Sequence, residues 1–136
     1  MRSPVPRCLI VDDNRDSREG SAEYLEAFGF EVEQAAGGEA ALASLRRRVP
    51  DVALVDLQMP GVDGWELVRL MRGDPALRDV PVIAISACVF PTDRARAREA
   101  GCDLFLTKPC LPGQMLRAVR RVLRHGRRRQ PPQPHR

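Results

Sequence analysis

Three aspartates, one serine and one lysine stand at the ends of short apolar runs: Asp12 and Asp13 after "CLIV" (8–11), Asp56 after "VALV" (52–55), Ser86 after "VIAI" (82–85) and Lys108 after "DLFLT" (103–107). Brought together, three carboxylates repel one another, and the available remedies are protonation, an arginine fork or a bound divalent cation. The cation suits this set best. Every candidate ligand is a hard oxygen and no His or Cys stands at these strand ends, which favours Mg²⁺, with Mn²⁺ as a substitute, over zinc or copper. Mg²⁺ takes one or two carboxylates and keeps waters, so room remains for an oxyanion, of which phosphate is the usual one. Lys108 is the only lysine among 22 basic side chains. Its compact ammonium can follow a moving phosphoryl oxygen, whereas the planar guanidinium demands a fixed bidentate partner. The competing explanation is that a single lysine is an accident of composition.

Those five residues converge only if the chain folds so that the runs end along one edge. The three continuous β-branched runs suit strands buried on both faces of a parallel sheet. "EVEQA" (31–35) and "DLFLT" are weaker and suit edge strands. Helical patterns lie between them, near 15–28, 38–49, 63–72, 92–100 and 112–124. The second places Leu42, Leu45 and Val49 on one stripe, and the fifth does the same with Leu116, Val119 and Leu123. Five strand–helix alternations, with crossovers too long for hairpins, predict a doubly wound α/β domain with a five-stranded parallel sheet and five helices on both faces. In such a sheet all strands point one way, and ligands bind at the edge where the strands end.

The 136 residues suit one domain with a real core. The expected division is a folded domain over 1–125 and a disordered tail over 126–136, "GRRRQPPQPHR", which holds four arginines, no acid and no apolar residue. Without the tail, eighteen cations face eighteen anions, so the formal charge of +4 resides in the tail and the folded part is neutral. That speaks against a nucleic-acid interface on the domain, as does the lack of an aromatic-basic patch. A specific acidic partner for the tail is the alternative to a solvated, solubilising end. No apolar run reaches membrane-spanning length and the start lacks a secretory pattern, so the expected location is the cytoplasm, without membrane insertion. Cys8, Cys88, Cys102 and Cys110 show no C-x-x-C spacing and are expected as free thiols, with a Cys88–Cys110 redox pair as a minor reading. No phosphate-binding glycine loop is present, so ATP and dinucleotides are not expected as direct ligands.

"LIVDDNRDS" (9–17), "LVDLQMPGVDGWEL" (54–67), "ISA" (85–87) and "LTKP" (106–109) together resemble the motifs of response-regulator receiver domains, the CheY-like phosphoacceptor domains of two-component signalling. The resemblance covers about residues 7–124. It implies a flavodoxin-like strand order 2-1-3-4-5 and phosphorylation of Asp56 by a partner histidine kinase or phosphotransfer protein. It also implies Mg²⁺ held by Asp13 directly, by Asp12 mostly through water, by Asp56 and by the backbone carbonyl of Gln58. Ser86 and Lys108 would hold phosphoryl oxygens, and Pro109 would follow a cis peptide bond that aims Lys108 inward. Ser86 and Phe105 would form the switch that carries phosphorylation to a partner-binding face. That reading weighs against Phe105 as a plain edge-strand apolar residue. Gln58 and Cys88 fall at positions that tune the lifetime of the phosphoryl bond in that family.

The leading expectation is therefore a single-domain response regulator, monomeric or weakly dimeric, that assists its own phosphorylation and dephosphorylation and switches a protein target. One alternative is a receiver module within or beside a hybrid kinase phosphorelay. A remoter one is a Mg²⁺-dependent aspartyl-phosphate hydrolase of the haloacid-dehalogenase type. Hydrolases of that type resemble D-x-D after the first strand, whereas here the two aspartates are adjacent.

Overall fold

The computed structural model describes residues 5–87 and 90–125. The expected disorder of 126–136 and the Cys88–Cys110 pairing lie outside the described residues.

Strands β1 (Arg7–Val11), β2 (Glu31–Ala35), β3 (Val52–Asp56), β4 (Val82–Ser86) and β5 (Leu104–Thr107) form one parallel sheet in the order 2-1-3-4-5. Helices α1 (Arg15–Ala27), α2 (Gly38–Arg47), α3 (Gly64–Arg72), α4 (Pro91–Ala100) and α5 (Pro112–His125) alternate with them. The three central strands, β1, β3 and β4, are buried at every residue, their apolar runs as the pattern requires and the polar Arg7, Asp56 and Ser86 at their ends with them, while β2 and β5 form the edges and stay partly open.

Because successive strand residues face opposite ways, the sheet feeds two cores. Cys8, Ile10, Val52, Leu54 and Ile83 pack with Leu25 of α1 and with Met115, Leu116 and Val119 of α5. Leu9, Val11, Ala53, Val55 and Ala84 pack with Leu45 of α2, with Trp65, Val68 and Met71 of α3, and with Ala97 of α4. The α5 stripe expected from sequence is borne out at Leu116 and Val119, with Leu123 partly buried against the same core.

The α2 stripe is corrected at its end. The helix stops at Arg47, Arg48 is extended at φ −160°, and Val49 is 47% exposed. Val49 precedes Pro50, whose ring disfavours the helical conformation in the residue before it. The third helix starts one residue late, at Gly64, because the Asp63 carboxylate caps it by accepting the Glu66 N–H at 2.9 Å. Asp103, expected inside the fifth strand, lies just before it. Its carboxylate accepts the Val82 N–H at 2.8 Å and pairs with the half-buried Arg72 guanidinium at 3.2 Å.

Candidate functional site

The parallel sheet delivers the five chemically distinctive residues to one rim. Asp56 is the last residue of β3, paired in register with Ile85, and Ser86 is the last of β4, paired with Thr107 one residue before Lys108. Lys108 is tied to β4 by its N–H, which donates to the Ser86 carbonyl at 2.9 Å. The peptide between Lys108 and Pro109 is cis, as expected.

Asp12 sits directly beyond β1 and is held from three sides. Its N–H donates to the Ala35 carbonyl at 3.1 Å, its own carbonyl accepts from the Arg18 guanidinium at 2.9 Å, and one carboxylate oxygen accepts the Asn14 N–H at 2.9 Å. Asn14 in turn caps α1, its side chain accepting the Ser17 N–H at 2.8 Å. The sequence reading named neither role for Asn14. The signal was present in "DDNRDS", where an Asn precedes a helical pattern as a capping residue does.

Oxygens of Asp12, Asp13 and Asp56 all lie within 4.8 Å of one another, with Asp12 and Asp56 buried and Asp13 exposed. Asp56 is only 3% exposed, and Lys108 Nζ donates to its Oδ2 at 2.9 Å. The other oxygen, Oδ1, accepts the Gln58 N–H at 3.0 Å. A tight approach of backbone makes this geometry available. Gly64, at the start of α3, lies so close to the end of β3 that a Cβ there would collide with the Asp56 carbonyl oxygen and the Leu57 Cα. Ser86 is fully buried, and its hydroxyl donates to Gln58 Oε1 at 3.0 Å, an acceptor that the Ala87 N–H shares at 3.4 Å. This use of the Gln58 side chain joins positions 28 residues apart, and no local pattern in the sequence announces it.

Burial sets the electrostatics. It pushes the Asp56 carboxyl above its ordinary range. The Lys108 hydrogen bond, the Gln58 N–H and the Lys108 charge pull it back without cancelling the rise, to which the negative charge of Asp12 adds. For Lys108, burial works against the ammonium. The hydrogen bond to Asp56 and the charges of Asp56, Asp12 and Asp13 outweigh it, so the lysine is held more firmly protonated than in water. Asp56 carries an energetic cost while ionised, and the structure supplies a neighbouring cation to lessen it. Beside the pair lies a cavity of about 510 Å³ bounded by Asp12, Asn14, Asp56, Lys108, Cys110 and Met115, roomy enough for a hydrated ion and an incoming oxyanion. Among the described residues, the clustered donors are the three carboxylates of Asp12, Asp13 and Asp56, a hard-oxygen set that suits Mg²⁺. Burial raises the pKa of the Cys110 thiol, which leaves it a poor nucleophile.

Phe105 lies in β5, partly buried against the core shared by α2, α3 and α4, with the Arg94 guanidinium of α4 stacked 4.9 Å from its ring centroid. No helix among the described residues is long and apolar enough to cross a membrane.

An acidic rim at the ends of β1 and β3, a lysine beside a cis-proline after β5 and a 2-1-3-4-5 sheet define a class. The response regulator receiver domain matches residues 8–120, and the chain belongs to that family. Receiver domains are signalling domains of two-component systems that are phosphorylated on an aspartate, bind Mg²⁺ at an acidic pocket, and have the capacity to add and remove their own phosphoryl group.

Among individual proteins, the polar-differentiation response regulator DivK of Brucella ovis is 32% identical over 115 residues, covering 85% of this chain and 94% of DivK. The gliding motility regulatory protein of Myxococcus xanthus is 37% identical over 102 residues; the match takes in 75% of this chain but spans only 13% of that protein. Of solved structures, the chemotaxis protein CheY4 of Vibrio cholerae superposes with a TM-score of 0.83 at 30% identity, covering 87% of this chain and 98% of that one. The receiver domain of a signal transduction histidine kinase from Syntrophus aciditrophicus gives 0.83 at 33%, covering 96% and 98%.

Proposed function

We propose that Asp56 is the phosphoacceptor and that the chain works as a free-standing response regulator, taking its phosphoryl group from a partner histidine kinase or phosphotransfer protein. One observation carries the assignment: the Asp56 carboxylate is 3% exposed at the end of a central strand and meets the sole lysine at 2.9 Å. A buried carboxylate kept beside an ammonium is positioned for charge that arrives with the substrate. In the transfer, an Asp56 oxygen bonds to phosphorus while the phosphorus–nitrogen bond of a phosphohistidine donor breaks. The electron pair returns to the imidazole nitrogen, which takes a proton from solvent.

Lys108 follows a transferring oxygen with its charge, and Ser86 offers its hydroxyl to another. Asp13, Asp12, Asp56 and the Gln58 carbonyl would hold Mg²⁺, which when bound neutralises charge developing on the phosphoryl oxygens. Ser86 and Phe105 form the switch, and the face around α4 and β5 meets a protein target. The receiver is assigned to residues 1–125, apart from the basic segment 126–136.

The near-complete coverage of DivK supports a free-standing regulator. A receiver working within or beside a hybrid kinase is the second reading, favoured by the likeness to a receiver domain from a histidine kinase.

The test is incubation with acetyl phosphate and Mg²⁺, followed by mapping of the adduct. A single acyl-phosphate on Asp56 that disappears in Asp56→Asn and falls sharply when the metal is chelated is expected. Full labelling of Asp56→Asn would overturn the assignment.

A further inference from the structure

We propose that the Gln58 side chain is a built-in competitor for the donors that a phosphoryl group on Asp56 must recruit, so that Gln58 holds the resting arrangement and sets how readily the phosphorylated one forms. The inference rests on the reading of Asp56 as phosphoacceptor. It concerns the side chain of Gln58, whereas the metal reading uses only its backbone carbonyl.

Gln58 is bound at both ends of the site. Its N–H donates to Asp56 Oδ1 at 3.0 Å, so the residue is positioned from the acceptor carboxylate itself. Its carboxamide oxygen reaches 28 residues along the chain to accept the Ser86 hydroxyl at 3.0 Å and, at 3.4 Å, the Ala87 N–H. The two donors are consecutive, one from a side chain and one from the backbone, and both converge on one neutral oxygen where β4 gives way to the loop leading into α4. Ser86 is 0% exposed, so its hydroxyl cannot exchange Gln58 for bulk water. An acceptor arriving from inside the site is what can replace it, and phosphoryl oxygens are anionic acceptors that form stronger hydrogen bonds than an amide oxygen.

Phosphorylation then becomes an exchange. Ser86 and Ala87 turn from Gln58 Oε1 to a phosphoryl oxygen, and the freed carboxamide moves aside into the rim. The exchange moves the backbone at Ala87 as well as a hydroxyl, which ties a local swap of acceptors to the start of α4. The cost of releasing Gln58 is subtracted from the affinity of the site for any phosphoryl-like anion.

Gln58→Met tests this while keeping the length and bulk of the side chain, excluding water and offering only a weak thioether acceptor. The backbone N–H to Asp56 is retained in the variant. The probe is beryllofluoride with Mg²⁺, its affinity followed by NMR of the Ala87 and α4 amides.

Gln58→Met is expected to bind beryllofluoride about tenfold more tightly than wild type, equivalent to about 1.4 kcal/mol. In a Ser86→Ala background, where the principal donor is gone, the same substitution is expected to change affinity less than about twofold, a coupling that a merely structural effect of residue 58 would not produce. Restoring a shorter carboxamide with Gln58→Asn is expected to give an intermediate affinity. Unchanged or weakened binding in Gln58→Met, or an equal gain with and without the Ser86 hydroxyl, overturns the competition while leaving Asp56 as acceptor. Beryllofluoride binding that survives Asp56→Asn instead overturns the reading of Asp56, and the competition with it.

Discussion

Helices α4 and α5 flank the same edge strand, yet they are attached to the molecule in different ways. Of α5, Met115, Leu116, Ala118, Val119 and Val122 are buried, four of them large side chains on one stripe. Of α4, only Ala97 and Ala100 are buried, and the rest of "PTDRARAREA" is charged or small, touching the domain through the Arg94 and Arg96 guanidiniums that stack on the Phe105 and Trp65 rings. The difference follows from residue type, since burying a Leu or Val side chain contributes roughly 1.5–3 kcal/mol and a methyl much less. The two helices also leave the site by different routes. The path into α5 begins at Lys108 and the cis Lys108–Pro109 bond, whereas the path into α4 begins at Ser86 and Ala87, whose donors rest on a side-chain amide. A well-anchored helix beside a weakly anchored one is a means of directing a local change toward one side.

The comparison breaks most visibly if α5 is not the anchor. Leu116→Ala removes a side chain that is 5% exposed and leaves a cavity against β1 and β3, at a cost of about 3 kcal/mol in urea unfolding. Ala97→Gly, the counterpart on α4, removes one buried methyl and weakens the helix by about 1 kcal/mol. Hydrogen exchange should show that second loss mainly as faster opening of α4 amides, with α5 amides unchanged. Equal costs for the two substitutions, or α5 amides accelerating with those of α4, would contradict the asymmetry.

This asymmetry was readable in the sequence because it depends on side-chain type at helical spacing: "TDRARAREA" has only alanines to bury, and Leu116 and Val119 fall on one stripe. The central strands were legible for the same reason, as was the convergence of Asp12, Asp13, Asp56, Ser86 and Lys108, which follows once all strands are parallel. What the sequence did not disclose depends on side chains meeting at long range. Arg72 donates to the Gly101 and Val80 carbonyls and pairs with Asp103, fastening α3 to the segments before β4 and β5, yet in sequence it is one arginine among many. Gln58 likewise reads as a lifetime-tuning position until its amide is found on Ser86. Local patterns also failed at Val49, where the apolar period runs on past the backbone restriction that Pro50 imposes.

A change of charge at Asp56 sharpens the comparison, because Asp56 lies between the two routes. Burial raises its folded-state pKa, so the folded protein holds that proton more tightly than the unfolded chain does. The associated stability is therefore present below the unfolded value of about 3.9 and is lost as pH rises through the folded value. Asp56→Asn escapes that loss. Without divalent metal, its advantage over wild type should be near zero below about pH 4 and should grow as pH rises through the folded value, levelling off once Asp56 is fully ionised. Lys108 loses its nearest partner in the variant, but it is 36% exposed and keeps the charges of Asp12 and Asp13, so its loss does not reverse the sign. Urea midpoints from pH 3.5 to 8 in chelator check this, and an advantage that shrinks as pH rises would show that the Lys108 pairing outweighs the burial of Asp56.

α4 stacks two arginines on rings, Arg96 on Trp65 at 4.2 Å and Arg94 on Phe105, and the finest distinction between the helices pairs Arg94 with its counterpart on α5. Arg94 of α4 stacks 4.9 Å from the Phe105 ring centroid, and Arg120 of α5 stacks 5.5 Å from that of Phe28. Both guanidiniums are exposed, so each contact contributes about 0.5 kcal/mol and neither is visible as a large change in global stability. Their consequences should still differ, because Arg94 ties a weakly buried helix to the edge strand, whereas Arg120 reinforces a helix already held by its apolar stripe. Arg94→Ala should accelerate exchange of α4 amides about twofold, as loss of 0.5 kcal/mol from a local opening equilibrium implies, and should loosen the Phe105 ring, seen as averaged aromatic shifts. Arg120→Ala should leave the exchange of α5 amides unchanged, because those amides open with the whole sheet and the contact is a small part of that larger free energy. Arg94→Lys should recover part of the wild-type protection, since an ammonium keeps the charge over the ring but lacks the flat stacking surface. If Arg120→Ala opened α5 as readily as Arg94→Ala opens α4, burial would not be what separates the two helices, and the direction of the switch would have to originate in the loops that join them to the site.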